Sequence, residues 1–500
     1  MAIRRGILGI DEGTTGTRAA VVLDDGSVGR SFYEPIALIA PDSHRVEQDP
    51  AEIWRKTRDV GRRAVAWAAD NNIELAGLTI ANQRGTSLLW DQSTGEPLAN
   101  AVVWQDRRYA ADVAELASEW DERLLRDTGR RVGPRSLLLW LVRSIRELPA
   151  AAAALQRGAL RFGTIDSWLM YQLTSGATHT VSATNAQAIG GLDLRTLQWH
   201  GGWFAALDVP DGVVPSVTED AGDLGVTHPD VLGMSLPIVA AVGDQHAAWA
   251  ALGAEEPGDV TVVHGTGSFV SILTDDMPAP QQNIDNALYG IAWRALGEDP
   301  YAVEAYASTT GAAIDWLCGT LKLFDDPAEI GALAAPVGHA NRPWFDPSFA
   351  GVRTPRADPD ATGALGGLSL AGDRAAIARA IVDGIAHSVG DLIDALEVVS
   401  GLRTAVVRCG GGLARSQVLA QAQANLSGVA VERAHDFETA SLRGAAYLGG
   451  VHLGLWPSRR AILTQLPAAE RFTPTIGQAE RNDLRAYWRD VVLHEPGRKP

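Results

Sequence analysis

Gly6-Ile-Leu-Gly-Ile10-Asp11-Glu12-Gly13-Thr14-Thr15-Gly16-Thr17-Arg18, continuing as Ala19-Ala-Val-Val-Leu23, is the stretch that decides the fold. It reads as an apolar strand, a tight turn of Gly and Thr, and a second apolar strand. Far along the chain the device returns as Asp259-Val-Thr-Val-Val263-His264-Gly265-Thr266-Gly267-Ser268-Phe269, followed by Val270-Ser-Ile-Leu273. Such turns gather backbone N–H groups and hydroxyls at one point, and glycine lets an anion approach closely. A single turn of this kind is common. Two of them, with Gly13-Thr14 answered by Gly265-Thr266, predict a duplicated fold that grips a polyphosphate from both sides.

Size and composition agree with a duplicated domain. A chain of 500 residues exceeds one compact core, so two large domains are expected. The spacing of elements divides it into residues 1–250, 251–455 and a more charged, peripheral extension at 456–500, with the turn Glu255-Glu256-Pro257-Gly258 near the first boundary. Net charge is −17 and no stretch clusters Lys and Arg with aromatics, which argues against a nucleic-acid partner. Two cysteines, Cys318 and Cys409, are too few for a disulfide framework or a Cys-based zinc site. The opening apolar run stops at Asp11, too short for a signal peptide, and no window reaches the roughly 20 apolar residues of a membrane span. A cytoplasmic enzyme without membrane insertion is expected; a homo-oligomer (dimer or tetramer) is a further expectation that these features do not themselves supply.

Strands and helices alternate in both halves, which predicts an α/β fold. Pro50 to Asn71 has helical periodicity, with Trp54, Val60, Ala64 and Trp67 on one stripe. Leu75 to Ile80 is a strand that ends in Asn82-Gln83-Arg84-Gly85-Thr86. Leu236 to Val242 is another, delivering Gly243-Asp244-Gln245-His246 to a helix of small residues. In the second half a long helix covers Arg374 to Leu396, a strand covers Ala405 to Arg408, and the loop Gly410-Gly411-Gly412 follows.

Several residues sit where chemistry belongs. Asp11 hands the first strand to its turn, where a carboxylate can hold Mg²⁺ beside phosphates or cap the turn through its own backbone. Asp244 at a strand mouth can take a proton from a hydroxyl attacking phosphorus, or cap the helix after it. Arg84, with Gln83 and Asn82, can donate paired hydrogen bonds to hydroxyls or phosphate, or form a surface ion pair. Trp104 can wall a carbon backbone or belong to the core. His246 next to Asp244 lacks a third metal ligand at sensible spacing and reads as a packed histidine. No dinucleotide fingerprint, P-loop signature or Gly-x-Ser-x-Gly elbow occurs.

Ten pieces in order then carry a family resemblance. They are Ile10 to Thr15 with Arg18, Ala81 to Arg84, Ala101 to Arg108, Gly163 to Trp168, Thr184 to Ala186, Gly243 to Gln245, His264 to Gly267, Gly311 to Trp316, Gly410-Gly411 and Glu438 to Ala446. Through them the chain resembles the FGGY carbohydrate kinases, most closely the glycerol-kinase branch. The resemblance implies two actin/hexokinase-like (ribonuclease H-like) domains around a central cleft, with ATP and Mg²⁺ on one side and a small polyol or sugar deeper in. It implies transfer of the γ-phosphate of ATP to a terminal hydroxyl. Asp244 is then the catalytic base and Asp11 organises the metal, directly or through water. Thr14, Thr15, Arg18 and Thr266 surround the phosphates, and Gly311, Ile314, Gly411 and Arg415 line the nucleotide site. Gln83, Arg84, Trp104, Asp244, Gln245 and Phe269 form the acceptor pocket.

The chain departs from the family pattern in the pocket. Gly85 follows Arg84 where the family has glutamate, and Gly133-Pro134-Arg135-Ser136 replaces a Pro-Tyr-Phe-Ser stretch. An unpartnered buried hydroxyl costs about 1–3 kcal/mol, so a four- or five-carbon polyol or ketose is expected ahead of glycerol, which is the alternative. Arg415 stands for a family asparagine and Asp315 for a glutamine. Val231 to Leu236 lacks the stretches tied to sugar-bisphosphate inhibition and to histidine phosphorylation, so neither control is expected. An actin-like ATPase with no small-molecule acceptor would share the hairpins but needs no polyol pocket such as the Asn82-Gln83-Arg84 and Gly243-Asp244-Gln245 patches, and a silent sugar-binding relative is disfavoured by the intact Asp11 and Asp244.

Overall fold

The computed structural model describes residues 4–133, 136–279 and 284–493. The chain forms two compact units. One comprises Met1–Ala251, Gly290–Pro300 and Ser441–Leu466, and the other Leu252–Tyr289, Tyr301–Ala440 and Pro467–Pro500.

In the first unit, β1 (Arg4–Glu12) and β2 (Gly16–Leu23) form the antiparallel hairpin read from the sequence, and β3 (Phe32–Pro35) extends it. Helix α1 (Pro50–Asp70) starts where Asp49 accepts the N–H of Ala51 and Pro50 supplies the first helical position. It turns Ile53, Thr57, Val60, Ala64 and Ala68 inward, while Trp54 and Trp67 stand partly buried at its margins. Strand β4 (Ile73–Asn82) returns parallel to β1. After the short helix α2 (Ala183–Ile189), β5 (Ile238–Gly243) adds parallel to β4. The order across the sheet is β5-β4-β1-β2-β3. Its middle strands are covered on both faces, so they are continuous apolar runs without polar alternation. Helix α3 (Asp244–Leu252) begins at Asp244 itself.

In the second unit, β6 (Asp259–His264) and β7 (Ser268–Thr274) form the other expected hairpin. Next come β8 (Leu288–Ile291), β9 (Tyr301–Ala307), α4 (Thr310–Asp315), α5 (Arg374–Ser400), β10 (Val406–Gly411), α6 (Gln417–Ser427), β11 (Val431–Arg433), β12 (Glu470–Phe472) and α7 (Gln478–Leu493). The sheet order is β8-β9-β7-β6-β10-β11-β12. Its centre repeats the first unit: a hairpin, an antiparallel strand beyond it, and two parallel strands on the other side. The duplication inferred from two turns therefore extends to whole sheets.

The segment after Pro457, expected as a peripheral extension, is divided between the units. Trp456 and Ile462 are buried in the first. Beyond residue 466 the chain contributes β12 to the second sheet and α7 beside α5. Arg485 of α7 donates to Asp391 and Asp394 of α5, and Trp488 stacks on His387 with centroids 5.1 Å apart. Arg485 and Arg489 of that segment thus form ion pairs with α5. Among the described residues no helix is long and apolar enough to cross a membrane.

Candidate active site

Three neighbouring parallel strands of the first unit end in step. Glu12 of β1 pairs in register with Asn82 of β4, and Asn82 with Gly243 of β5. The residues at these ends are Asp11, Gln83-Arg84 and Asp244. Register therefore brings them to the carboxyl edge of one sheet, where ligands of open α/β sheets bind.

Asp244 is partly buried, with 27% of its side chain exposed, and its Oδ1 accepts the N–H of Gln245 at 2.8 Å. Nε of Arg84 lies 3.8 Å from the same oxygen. Gln245 Oε1 is buried and has no hydrogen-bond partner among the described residues. A buried acceptor left in that state is costly unless a ligand donates to it. The backbone before Asp244 is anchored by α2. Thr184 Oγ1 accepts the N–H of Gly243 at 2.9 Å and donates to Asp220 Oδ1 at 2.6 Å. Burial lifts the Asp220 carboxyl to about 7, against the hydrogen bonds it accepts from Thr184 and from the N–H of Arg294.

Asp11 is held at about 7 by burial first and by the charge of Asp244 second, with Arg18 pulling the other way. Glu12, its neighbour, is fully buried and raised to about 8; the hydroxyl of Thr57 donates to it at 2.9 Å. The turn after them is closed by Gly13 N–H to Gly16 carbonyl at 3.0 Å. Thr14 Oγ1 accepts the indole N–H of Trp104 at 2.9 Å, and its carbonyl accepts from Gln48. The carbonyl of Thr15 accepts the hydroxyl of Tyr33, over whose ring Arg18 lies. Gln83 is fully buried, donating to Gln48 and accepting from Thr86, whose hydroxyl also accepts the N–H of Trp104. Gly85 stands at φ +71°, a conformation that favours glycine. Pro134 and Arg135 lie outside the described residues.

The second hairpin has its own cradle. Thr266 and Gly265 are exposed at its tip, and the carbonyl of Thr266 accepts the N–H of Ala312. A Cβ on Gly311 would sit 2.1 Å from the carbonyl oxygen of Gly265, and one on Gly411 (φ +83°) 2.2 Å from that of His264. Both glycines are needed for this backbone approach. Ile314 is buried in the apolar core between α4, α5 and α6. Arg415 is exposed and paired with Glu438 at 2.6 Å. Phe269 stacks on Tyr306, centroids 5.2 Å apart.

Family models match almost the whole of this architecture. The N-terminal domain of the FGGY family of carbohydrate kinases matches residues 6–253, and the C-terminal domain of the same family residues 260–453. The chain belongs to the FGGY family of carbohydrate kinases. Over 490 residues it is 35% identical to a glycerol kinase of Alcanivorax borkumensis, covering 97% of each chain. It is 36% identical over 494 residues to a glycerol kinase of Bordetella parapertussis, covering 97% of this chain and 96% of that one. In fold it is similar to the glycerol kinase of Plasmodium falciparum solved with ADP, at TM-score 0.91 and 24% identity over 99% of each chain. It is also similar to a ligand-bound xylulose kinase of Lactobacillus acidophilus, at 0.83 and 20% over 99% of each.

As an FGGY kinase the chain is a phosphotransferase with an alcohol acceptor. Thr184, Asp220, Glu12 and His246 also surround this edge. Asp220, which accepts from Thr184, carries no local sequence signal, because its partners come from distant elements. The described residues hold no cluster of three His, Cys, Asp or Glu suited to a metal.

Proposed function

We propose that this FGGY kinase transfers the γ-phosphoryl group of ATP to a terminal hydroxyl of a four- or five-carbon polyol or ketose. The observation that carries the reading is the common edge of β1, β4 and β5, where Asp11, Arg84 and Asp244 come together. Asp244 takes the proton of the acceptor hydroxyl as that oxygen bonds to the γ-phosphorus, and the bond to the β-phosphate oxygen breaks to release ADP. Arg84 and Gln245 hold further hydroxyls, the first as donor and the second as acceptor. Trp104 flanks the carbon chain. Thr14, Thr15, Arg18 and Thr266 serve the phosphates, and Gly311 and Gly411 the nucleotide.

Mg²⁺ fits Asp11. Its carboxyl is raised by burial and by a second carboxylate, and a cation relieves both. With one protein carboxylate, the remaining ligands would be phosphates and water, as is usual for this ion. When bound it neutralises charge on the transferred phosphoryl group.

A larger acceptor than glycerol is favoured because position 85 carries no side chain and its φ of +71° disfavours one. ADP release measured with glycerol, erythritol, erythrulose, ribitol and xylulose tests the reading, with Asp244→Asn as control. A clear preference for glycerol overturns the substrate order. ADP release that ignores every acceptor overturns the kinase reading in favour of an ATPase.

A further inference from the structure

The turn that carries Thr266 is closed by side chains as well as by backbone. His264, the last residue of β6, pairs in the hairpin register with Ser268, the first of β7, and both are buried. The amide nitrogen of Gln423 on α6 donates to His264 Nε2 at 2.8 Å, so Nε2 is the acceptor and Nδ1 carries the proton. Nδ1 donates to Ser268 Oγ at 2.7 Å. The Ser268 hydroxyl in turn shares a hydrogen bond of 2.7 Å with Oγ1 of Thr310, the first residue of α4. Burial keeps the ring neutral, protonating only near 4, so each nitrogen keeps its role at neutral pH.

All four residues belong to the second unit, and around them the turn is packed backbone against backbone. A Cβ on Gly267 would lie 2.4 Å from the carbonyl oxygen of Ala307 and 2.9 Å from that of Ser308, where β9 ends. Gly265 donates its N–H to the carbonyl of Gly267 at 2.8 Å, and the carbonyl of Thr266 accepts the N–H of Ala312 at 2.9 Å. Gly265 and Thr266 themselves remain exposed. The turn is thus fixed from below while its tip stays open.

Packing alone does not call for a polar line here, since apolar groups of the same shape can replace a buried hydrogen-bonded pair at little cost. What the line adds is direction, because a hydrogen bond fixes distance and angle together. It joins α6 at Gln423, the hairpin at His264 and Ser268, and α4 at Thr310. We propose that His264, oriented by Gln423, is a positioning residue that ties the turn Gly265-Thr266-Gly267 to the start of α4 through Ser268 and Thr310, and so sets Thr266 and Gly311 for the nucleotide's phosphates. The proposal rests on the reading of Thr266 and Gly311 as nucleotide-site residues.

The test measures ADP affinity by calorimetry, and the KM of MgATP and of the best acceptor of the panel, on folded full-length protein. His264→Phe keeps the bulk and loses the donor, whereas His264→Asn keeps an amide near the place of Nδ1 and loses the bulk. Thr310→Val keeps the shape and loses the hydroxyl, and Thr310→Ser does the reverse. His264→Phe and Thr310→Val are each expected to weaken ADP binding and raise the MgATP KM about tenfold, with the acceptor KM within about twofold. His264→Asn and Thr310→Ser are expected to keep most of the wild-type affinity. A packing role gives the opposite order within each pair, and that order overturns the proposal, as does unchanged ADP affinity in both His264→Phe and Thr310→Val. In a Ser268→Ala background, where the line is already cut, Thr310→Val is expected to add less than about twofold, and a second full loss refutes the connection. The Ser268 and Thr310 variants change one small group each and decide the matter even if a His264 variant does not fold. ADP affinity that withstands Thr266→Val and Gly311→Ala defeats the nucleotide reading of the turn and this proposal with it. Affinity lost at those two positions but kept in His264→Phe and Thr310→Val defeats this proposal alone.

Discussion

Trp104 donates its indole N–H to the hydroxyl of Thr14 at 2.9 Å, joining the wall assigned to the acceptor's carbon chain to the turn assigned to the phosphates. On the proposed reading, a change at either residue is felt at the other. A double-mutant cycle with Trp104→Phe and Thr14→Val is expected to give a coupling of about 1 kcal/mol in kcat/KM. Strict additivity of the two single effects would separate the wall from the turn.

Replacement of Asp244 by asparagine removes the proposed proton acceptor and keeps the shape. A fall in kcat of roughly 10²–10⁴ is expected, with ADP affinity by calorimetry unchanged. An asparagine variant of near-normal turnover would move the base elsewhere.

Thr184 joins the buried carboxylate of Asp220 to the backbone just before Asp244. Valine there leaves Asp220 short of a donor and the N–H of Gly243 short of an acceptor. Each orphaned group costs about 1–3 kcal/mol, so Thr184→Val is expected to lose several times more stability in urea than Thr184→Ser.

Gly311→Ala drives a methyl group to 2.1 Å from the Gly265 carbonyl, whereas at Gly319 a Cβ meets nothing within 4 Å. ADP binding is expected to weaken about tenfold in the first variant, from an overpacking cost of about 1–3 kcal/mol at the hairpin tip, and to hold in the second. Equal effects at both positions would show that the hairpin tip is not part of the nucleotide site.

His264 gives a pH dependence of definite sign. Its ring is buried between Ser268 and Gln423 and resists protonation down to about 4. The unfolded chain protonates this residue below about 6.5, so the unfolded state binds the extra proton between those values and stability rises with pH across them. His264→Gln removes that term. Its stability deficit against wild type is therefore expected to shrink by up to about 3 kcal/mol between pH 7 and 4, followed by urea unfolding. A deficit independent of pH would show that the buried ring is not held neutral.

The placement of the two candidate carboxylates was legible, because the pattern that sets it is local. Asp11 and Asp244 each follow an apolar run that reads as a strand, so their place at a strand mouth needed no knowledge of partners. The polar neighbours of Gln83 in sequence do not reveal that its amide turns inward to Gln48 and Thr86. Arg415 likewise offers a cation beside the glycine loop, and its exposed pairing with Glu438 depends on a residue from another element. The charged segment after Pro457 gave no sign of how its arginines would be engaged, because Asp391 and Asp394 lie on a distant helix.

Apolar runs broken by Gly and Thr suffice to write two hairpins, since strand period and turn geometry are properties of adjacent residues. They also suffice to set a carboxylate at the end of each of two strands. The register that levels Glu12, Asn82 and Gly243, and the line from Gln423 through His264 and Ser268 to Thr310, exist only in the folded chain. Both depend on hydrogen bonds between groups far apart in the chain, whose partners packing selects and which no local pattern encodes.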